Sequence, residues 1–216
     1  MTTQRLSAAE FEETAGTGDW RVLWGGGWAC TQFTTGSFAA GVALVQAIGT
    51  LAAAAGHAPD VDLRPQSVTV RLFSPELHGP GPRDVELAGQ ISAAARDLGM
   101  AAEPGRVQHV QVAIDALVIP EVLPFWHAVL GYDREGDEDL VDPSRRLPSF
   151  WFQQMDAPRA GRNRIHLDIY VPRDQAEARI AAALAAGGRI VSDAHAPGWW
   201  TLADPEGNEA DLAVWG

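Results

Sequence analysis

The sequence predicts an α+β protein built as two successive units. Three observations carry this. Short runs alternating apolar and polar residues are interleaved with segments of helical period throughout. An Ala/Gly/Pro-rich stretch, Gly99 to Arg106, breaks the pattern near the middle. Beyond it, one strand pattern occurs twice: Val107-Gln108-His109-Val110-Gln111-Val112 and Arg164-Ile165-His166-Leu167-Asp168-Ile169 share their alternation and the place of a histidine. Residues 1–99 are expected to form the first domain, 100–106 a linker and 107–216 the second domain.

In the first unit, Ser7 to Thr14 reads as a short helix, with Ser7 as N-cap and Glu10 completing a capping box. Trp20–Trp24 and Trp28–Thr34 read as strands joined at Gly25-Gly26-Gly27. A strand rather than a helix follows the glycines, so a hairpin turn is expected there and not a phosphate cradle. Ser37 caps a helix running to about Ala55. The loop Gly56–Asp60 precedes a strand from about Asp62 to Phe73, where Val68, Val70 and Leu72 alternate with Ser67, Thr69 and Arg71. After the turn-rich Ser74–Pro82, a helix from Asp84 to Leu98 carries the stripe Val85, Ala88, Ile91, Ala95 and Leu98 and stops at Gly99. The order is α-β-β-α-β-α.

The second unit opens with a strand over Val107–Ile114. It continues with a helix over Pro120–Leu130 ended by Gly131, and strands near Glu138–Val141 and Ser149–Met155. A strand over Arg164–Val171 begins the second half. The helix after it has Asp174 as N-cap and Ile180 and Leu184 on its apolar face, and stops at Gly187-Gly188. Strands follow near Arg189–Ser192, Trp199–Ala203 and Glu209–Trp215. The pattern β-α-β-β thus occurs twice. On the strands, Val110, Val112 and Ile114 share one face against His109 and Gln111. Ile165, Leu167, Ile169 and Val171 oppose His166, Asp168 and Tyr170, and Ala210, Leu212 and Val214 oppose Asp211 and Trp215. The apolar faces are expected against the two helices, leaving the polar faces to line a concave surface.

The net charge of −12 disfavours a nucleic-acid partner. Cys30 is the single cysteine, which rules out an internal disulfide and Cys-rich zinc modules. The first nineteen residues lack an apolar signal core, so a cytoplasmic location is expected. Phe38–Ala55 contains no charged residue, and a buried or interface-facing helix is expected there rather than a membrane span.

Gly56-His57-Ala58-Pro59-Asp60, the Val68–Leu72 strand, Gly79 and Arg83-Asp84-Val85-Glu86-Leu87-Ala88 resemble the pterin-4a-carbinolamine dehydratase family from about Leu6 to Leu98. The resemblance implies an α/β sandwich that removes water from a 4a-hydroxytetrahydropterin without a metal, and association through the long helix into a homo-oligomer. By position it implies His57 as principal acid/base with Asp60, and Pro59 and Glu76 at the substrate. Ala58 replaces the family's second histidine, Ser74-Pro75 its Thr-His and Val61 its aromatic residue, which leaves His78 as a stand-in.

Arg162–Asp168, the helix end Phe125–Gly131 and the turn Asp204-Pro205-Glu206-Gly207-Asn208-Glu209 resemble the glyoxalase-like branch of the vicinal-oxygen-chelate superfamily, from Val107 to Trp215. That implies paired β-α-β-β-β modules and a divalent metal (Zn, Ni, Fe or Mn) held by His109, Gln153, His166 and Asp211. Here Gln153 stands where a Glu often sits and Asp211 replaces the final Glu. The substrate expected is a small pterin-like, oxygenated or aromatic molecule, with Trp151 and Tyr170 in contact with it. His127 reads as structural, and His195 as part of a loop over the cup. The alternatives to a dehydratase are a metal-dependent lyase, isomerase or dioxygenase in the second half, and a non-catalytic binder in which Trp151, Trp199, Trp200 and Trp215 supply stacking surface.

Overall fold

The computed structural model describes residues 4–23, 27–158 and 166–214. It divides into two compact units, Met1–His109 and Val110–Gly216. Both are mixtures of helix and sheet.

In the first unit, α1 (Ala8–Glu12) starts as expected: the Glu10 N–H donates to Ser7 Oγ at 3.2 Å, and the Ser7 N–H donates to the Glu10 carboxylate at 2.8 Å. Strands β1 (Arg21–Leu23) and β2 (Trp28–Thr34) pair antiparallel with Leu23 opposite Trp28. Trp24, Gly25 and Gly26, on which the expected strand end and turn fall, lie outside the described residues. Helix α2 (Phe38–Ala55) is capped by Ser37 and closed by Gly56 at φ +58°, a left-handed value that favours glycine.

The single strand expected over Asp62–Phe73 is two. β3 (Asp60–Arg64) and β4 (Ser67–Leu72) fold back on each other at Pro65-Gln66, with Arg64 opposite Ser67. Proline cannot donate to a ladder and opens a turn readily. The period-two pattern runs through both strands, so alternation alone shows no break. Helix α3 (Pro82–Asp97) starts two residues before Asp84, because a proline at the first helical position gives up only an N–H that would be orphaned anyway. Its buried face is Asp84, Leu87, Ala88, Ile91, Ser92 and Ala95; Leu98, expected on the stripe, is exposed.

The segment expected as a linker is bound to the first sheet. β5 (Ala101–Ala102) pairs with Phe33 and Thr34 of β2, and the Glu103 N–H donates to the Gln32 carbonyl at 2.7 Å. Two alanines present no alternation from which a strand can be read. The sheet order is β1-β2-β4-β3, with β5 beside β2. Phe33, Val68, Val70 and Leu72 on one sheet face pack with Leu44 and Ile48 of α2 and Leu87 and Ile91 of α3.

The second unit holds two four-stranded sheets of matching order. The first joins β6 (Gln111–Ala116), β9 (Ser149–Gln154), β8 (Asp139–Val141) and β7 (Asp133–Glu135). The second joins β10 (Leu167–Tyr170), β13 (Glu209–Ala213), β12 (Trp199–Ala203) and β11 (Arg189–Ser192). In each, the first strand runs parallel to the last and the remaining pairings are antiparallel. Strand β7 has the sequence Asp-Arg-Glu, with no apolar residue to betray it, and completes β-α-β-β-β in the first module. Strand β6 begins four residues later than expected, so His109 and Val110 precede it and Val110 is exposed rather than part of the apolar face. Arg164, Ile165 and Trp215, at the ends of expected strands, lie outside the described residues.

Helices α4 (Ile119–Leu130) and α5 (Ala176–Ala185) cover the apolar faces. Asp174 does not cap α5; it sits in a 3-10 turn over Arg173–Gln175, and its carboxylate accepts from the Gln175 side chain. Ile180 and Ala183 take the buried face of α5, while Leu184 is exposed. One core joins Ile114 and Phe152, Val122, Phe125 and Trp126, Ile180, and Leu202 and Leu212.

Candidate functional sites

The first site grows from the end of α2. With Gly56 turning the chain, the His57 N–H donates to the Ala52 carbonyl at 3.1 Å and the imidazole becomes buried. His57 Nε2 lies 2.7 Å from Asp84 Oδ1. Asp84 Oδ2 accepts from Ser74 Oγ and from the Gly81 N–H, each at 2.7 Å. Asp84 is 0% exposed, so these donors replace all of its water. Its place in the first turn of α3 adds the favourable helix N-terminal field. Arg83 Nη2 is 3.4 Å from His57 Nδ1 and 3.0 Å from Glu76 Oε1. A guanidinium only donates, so Nδ1 is the accepting nitrogen and Nε2–H donates to Asp84.

The hydrogen-bonded cluster is therefore His57, Asp84, Ser74, Arg83 and Glu76. Of the other expected residues, Pro59 is half-buried beside His57 in the chain. Asp60 starts β3 and is held by Arg71 at 3.4 Å. His78 occupies an exposed left-handed position at the end of a 3-10 turn. Asp84 and Ser74 had no role assigned from sequence. For Asp84 the signal was there: it lies four residues before Ala88 on the buried stripe, where a carboxylate needs a partner.

His109, expected as a metal ligand, belongs to the first unit. Its ring packs 5.8 Å from that of Trp28, which also meets Phe73 edge-on and carries the Arg71 guanidinium 4.4 Å above it. Burial, and then the Arg71 charge, hold the His109 imidazole below its usual range.

The second site lies in the second unit. Strands β10 and β13 run parallel with Asp168 opposite Asp211, and His166 immediately precedes β10. His166 Nε2 is 3.4 Å from Asp168 Oδ1 and 3.8 Å from Asp211 Oδ2, and the three ligand atoms lie within 4.8 Å of one another. Donors bound to one divalent ion at about 2.0–2.2 Å stand roughly 3–3.5 Å apart, so a small contraction of this cluster would close it on an ion. His166 and Asp211 were expected as ligands. Asp168 was not, although it shares the outward face with His166 by period two. Gln153 lies in the other sheet of the unit, in β9 opposite Asp115. Trp151 is half-buried on the same strand, and Tyr170 is exposed on β10. His127 Nδ1 bonds the Tyr132 carbonyl, a structural role.

A turn braces the two modules. The buried Asp204 carboxylate accepts from Trp126 Nε1 at 3.0 Å and Asn208 Nδ2 at 2.7 Å, while the Glu206 carboxylate accepts from the N–H groups of Leu117 and Val118 ahead of α4.

Residues 4–94 match the family model for pterin 4 alpha carbinolamine dehydratase. A protein of Roseiflexus sp. (strain RS-1), by name a pterin-4-alpha-carbinolamine dehydratase, is 40% identical over 89 residues, which span 40% of this chain and 92% of that protein. The chain belongs to the pterin-4a-carbinolamine dehydratase family. Beyond this dehydratase-family half, residues 111–213 match the model for a glyoxalase-like domain. A Nocardia farcinica protein of the same dehydratase name is 43% identical over 60 residues, 28% of this chain and 63% of that protein, so less than two thirds of its length is spanned. Among solved structures, the transcriptional coactivator/pterin dehydratase from Brucella melitensis aligns at 21% identity and a TM-score of 0.39, over 43% of this chain and 99% of that one. A glyoxalase-related enzyme from Fulvimarina pelagi aligns at 15% and 0.41, over 50% of this chain and 88% of that one.

Proposed function

We propose that the dehydratase-family half is a lyase that removes water from a 4a-hydroxytetrahydropterin in tetrahydropterin recycling, with His57 as its acid/base group. The supporting observation is the 2.7 Å bond between His57 and the fully buried Asp84. In the reaction the C4a–O bond breaks, the hydroxyl leaves as water carrying one added proton, and a ring N–H proton is lost as the C=N bond forms. Asp84 orients the imidazole, so Nδ1 is the nitrogen left to move a proton. Ala58 and Ser74 supply no second imidazole, so His57 serves both transfers, one directly and one through water. Arg83 lies against Nδ1 and donates to Glu76 at 3.0 Å, and Pro59 follows His57 by two residues, so these residues contact the pterin in this reading. The purified protein should dehydrate a 4a-hydroxytetrahydropterin above the uncatalysed rate, and His57→Ala should lower kcat by about 10²–10⁴-fold. A wild-type rate equal to background defeats the proposal.

A second reading rests on the convergence of His166, Asp168 and Asp211. One imidazole and two carboxylates suit Zn, Fe(II), Mn or Ni, with coordination positions left open, as a lyase, isomerase or dioxygenase requires. Bound there, a divalent ion would polarise a substrate oxygen or acidify a bound water. His109 and Gln153 stay outside this ligand set. Metal analysis of the purified protein should find about one ion per chain, lost in Asp211→Asn; less than a tenth of an ion in wild type removes the reading. We further assign self-association to α2, which is long and apolar yet mostly exposed, and a cytoplasmic setting to the whole chain. Light scattering tests the first assignment: Phe38→Glu, at an exposed apolar position of α2, should yield monomers.

A further inference from the structure

An acid/base group needs a free ring nitrogen, yet the His57 side chain is only 6% exposed and both of its nitrogens are engaged. Nε2 meets Asp84 at 2.7 Å, and Nδ1 meets the Arg83 guanidinium at 3.4 Å. The two contacts differ in kind. Asp84 is 0% exposed and accepts from two further donors, which its departure would strand. The Arg83 side chain is 48% exposed, and its carboxylate partner Glu76 is 53% exposed. An ion pair between such exposed groups biases an equilibrium by no more than about fivefold, and salt screens it. His57 is therefore closed for good on the Nε2 side and openable on the Nδ1 side.

Both members of the exposed pair are placed by the buried carboxylate. Arg83 precedes Asp84 in the first turn of α3. Glu76 lies on the 3-10 turn Pro75–Leu77, in a loop closed at its base where the backbones of Ser74 and Gly79 bond each other at 3.3 and 3.5 Å. Ser74 Oγ, at that base, donates to Asp84 Oδ2. Asp84 thus holds the imidazole with one oxygen and the root of the Glu76 loop with the other. A single guanidinium nitrogen, Nη2, makes both the 3.0 Å bond to Glu76 and the contact with Nδ1, so the pull of the carboxylate and the cover on the imidazole come together.

We infer that Arg83 is a latch over Nδ1 of His57, held shut by Glu76 and opened when the guanidinium swings out to solvent, so that access to the imidazole follows the Arg83–Glu76 ion pair. Its use in catalysis rests on the dehydratase reading. The latch itself is measured on the imidazole, so the two fail separately.

Diethyl pyrocarbonate, which acylates accessible unprotonated imidazoles, is applied near neutral pH to the full chain as wild type, Arg83→Ala and Glu76→Gln. Modification is followed at each histidine by peptide mass spectrometry, with the exposed His195 as the reference. Relative to His195, His57 should react slowly in wild type, about tenfold or more faster in Arg83→Ala, and about two- to fivefold faster in Glu76→Gln. Raising salt from about 0.01 M to 1 M, which shortens the screening length from about 30 Å to 3 Å, should speed His57 modification in wild type and leave Glu76→Gln unchanged. A merely structural arginine gives no such difference in salt response. Arg83→Ala as slow as wild type at His57, or a wild-type His57 rate indifferent to salt, overturns the latch; the salt result needs no variant to fold. Dehydration of a 4a-hydroxytetrahydropterin is assayed alongside: a background rate with the latch pattern intact removes the dehydratase reading alone, and a rate above background without that pattern removes the latch alone.

Discussion

Asp84 concentrates more obligations than any other side chain described in the first unit: one buried carboxylate serves His57, Ser74 Oγ and the Gly81 N–H. Replacing it by alanine strands three buried donors, at about 1–3 kcal/mol for each unsatisfied group, and denaturant unfolding should show the first unit weakened by about 3–5 kcal/mol. Asp84→Asn keeps the volume and one acceptor, so a smaller loss of stability with a clear loss of dehydration rate would mark the carboxylate as a positioning group for His57. Cys30 makes the opposite case of a group silenced by its surroundings. Burial, reinforced by Asp60 and only partly opposed by Arg71, pushes its thiol up to about 12. The reactive thiolate is therefore suppressed near neutral pH. The folded protein should leave an aromatic disulfide reagent unreacted at pH 8, and one thiol should titrate only after denaturation.

At the scale of the element, the ends of α4 show how local chemistry joins the two modules. Glu206, from the second module, caps the start of this first-module helix through Leu117 and Val118. Glu206→Ala should cost about 1–2 kcal/mol in the second unit, the usual value of a lost cap, read by thermal or urea unfolding. At the other end Gly131 has φ +69°, and a Cβ there would lie 2.6 Å from the Arg179 guanidinium, which donates to the Val129 carbonyl. Nearby, the loop after β8 is organised by Asp142. Burial pushes its carboxyl up, but N–H donation from Arg146, Ser144 and Leu147 outweighs this and holds it below the ordinary aspartate range. A lowered carboxylate value stabilises the fold above the unfolded value and loses that contribution as pH falls through the folded one. An NMR titration should therefore place the Asp142 midpoint below that of an ordinary aspartate, with the loop loosening only under acid conditions beneath it.

For the molecule as a whole, the decisive fact is that, among the described residues, the two hydrophobic cores share none. Each unit has its own sheet-and-helix interior, as an independently folding domain requires. Ile91→Ala and Leu123→Ala each create a cavity worth about 2–5 kcal/mol, the first in one core and the second in the other. Calorimetry should show each variant lowering a different transition. A single transition moved equally by both would mean that the units melt as one.

Much of this architecture is local and therefore legible in the chain. Ser7 with Glu10, Ser37 with Gly56 and the stop at Gly131 mark helices through side-chain capping and backbone freedom, which depend on neighbours in sequence. The alternation of His166, Asp168 and Tyr170 puts them on one strand face for the same reason. Features that leave no mark in the alternation were hidden. The strand of Ala101–Ala102 exists because distant β2 offers an edge, β7 has no apolar residue to show it, and the period-two pattern runs unbroken through the turn at Pro65 between β3 and β4. The meeting of Asp84 with His57, and of Asp211 with His166, brings together groups 27 and 45 residues apart. Period and composition report which face a side chain occupies. Which other face it meets is decided by packing of the whole chain, and the chemistry of both sites depends on that second choice.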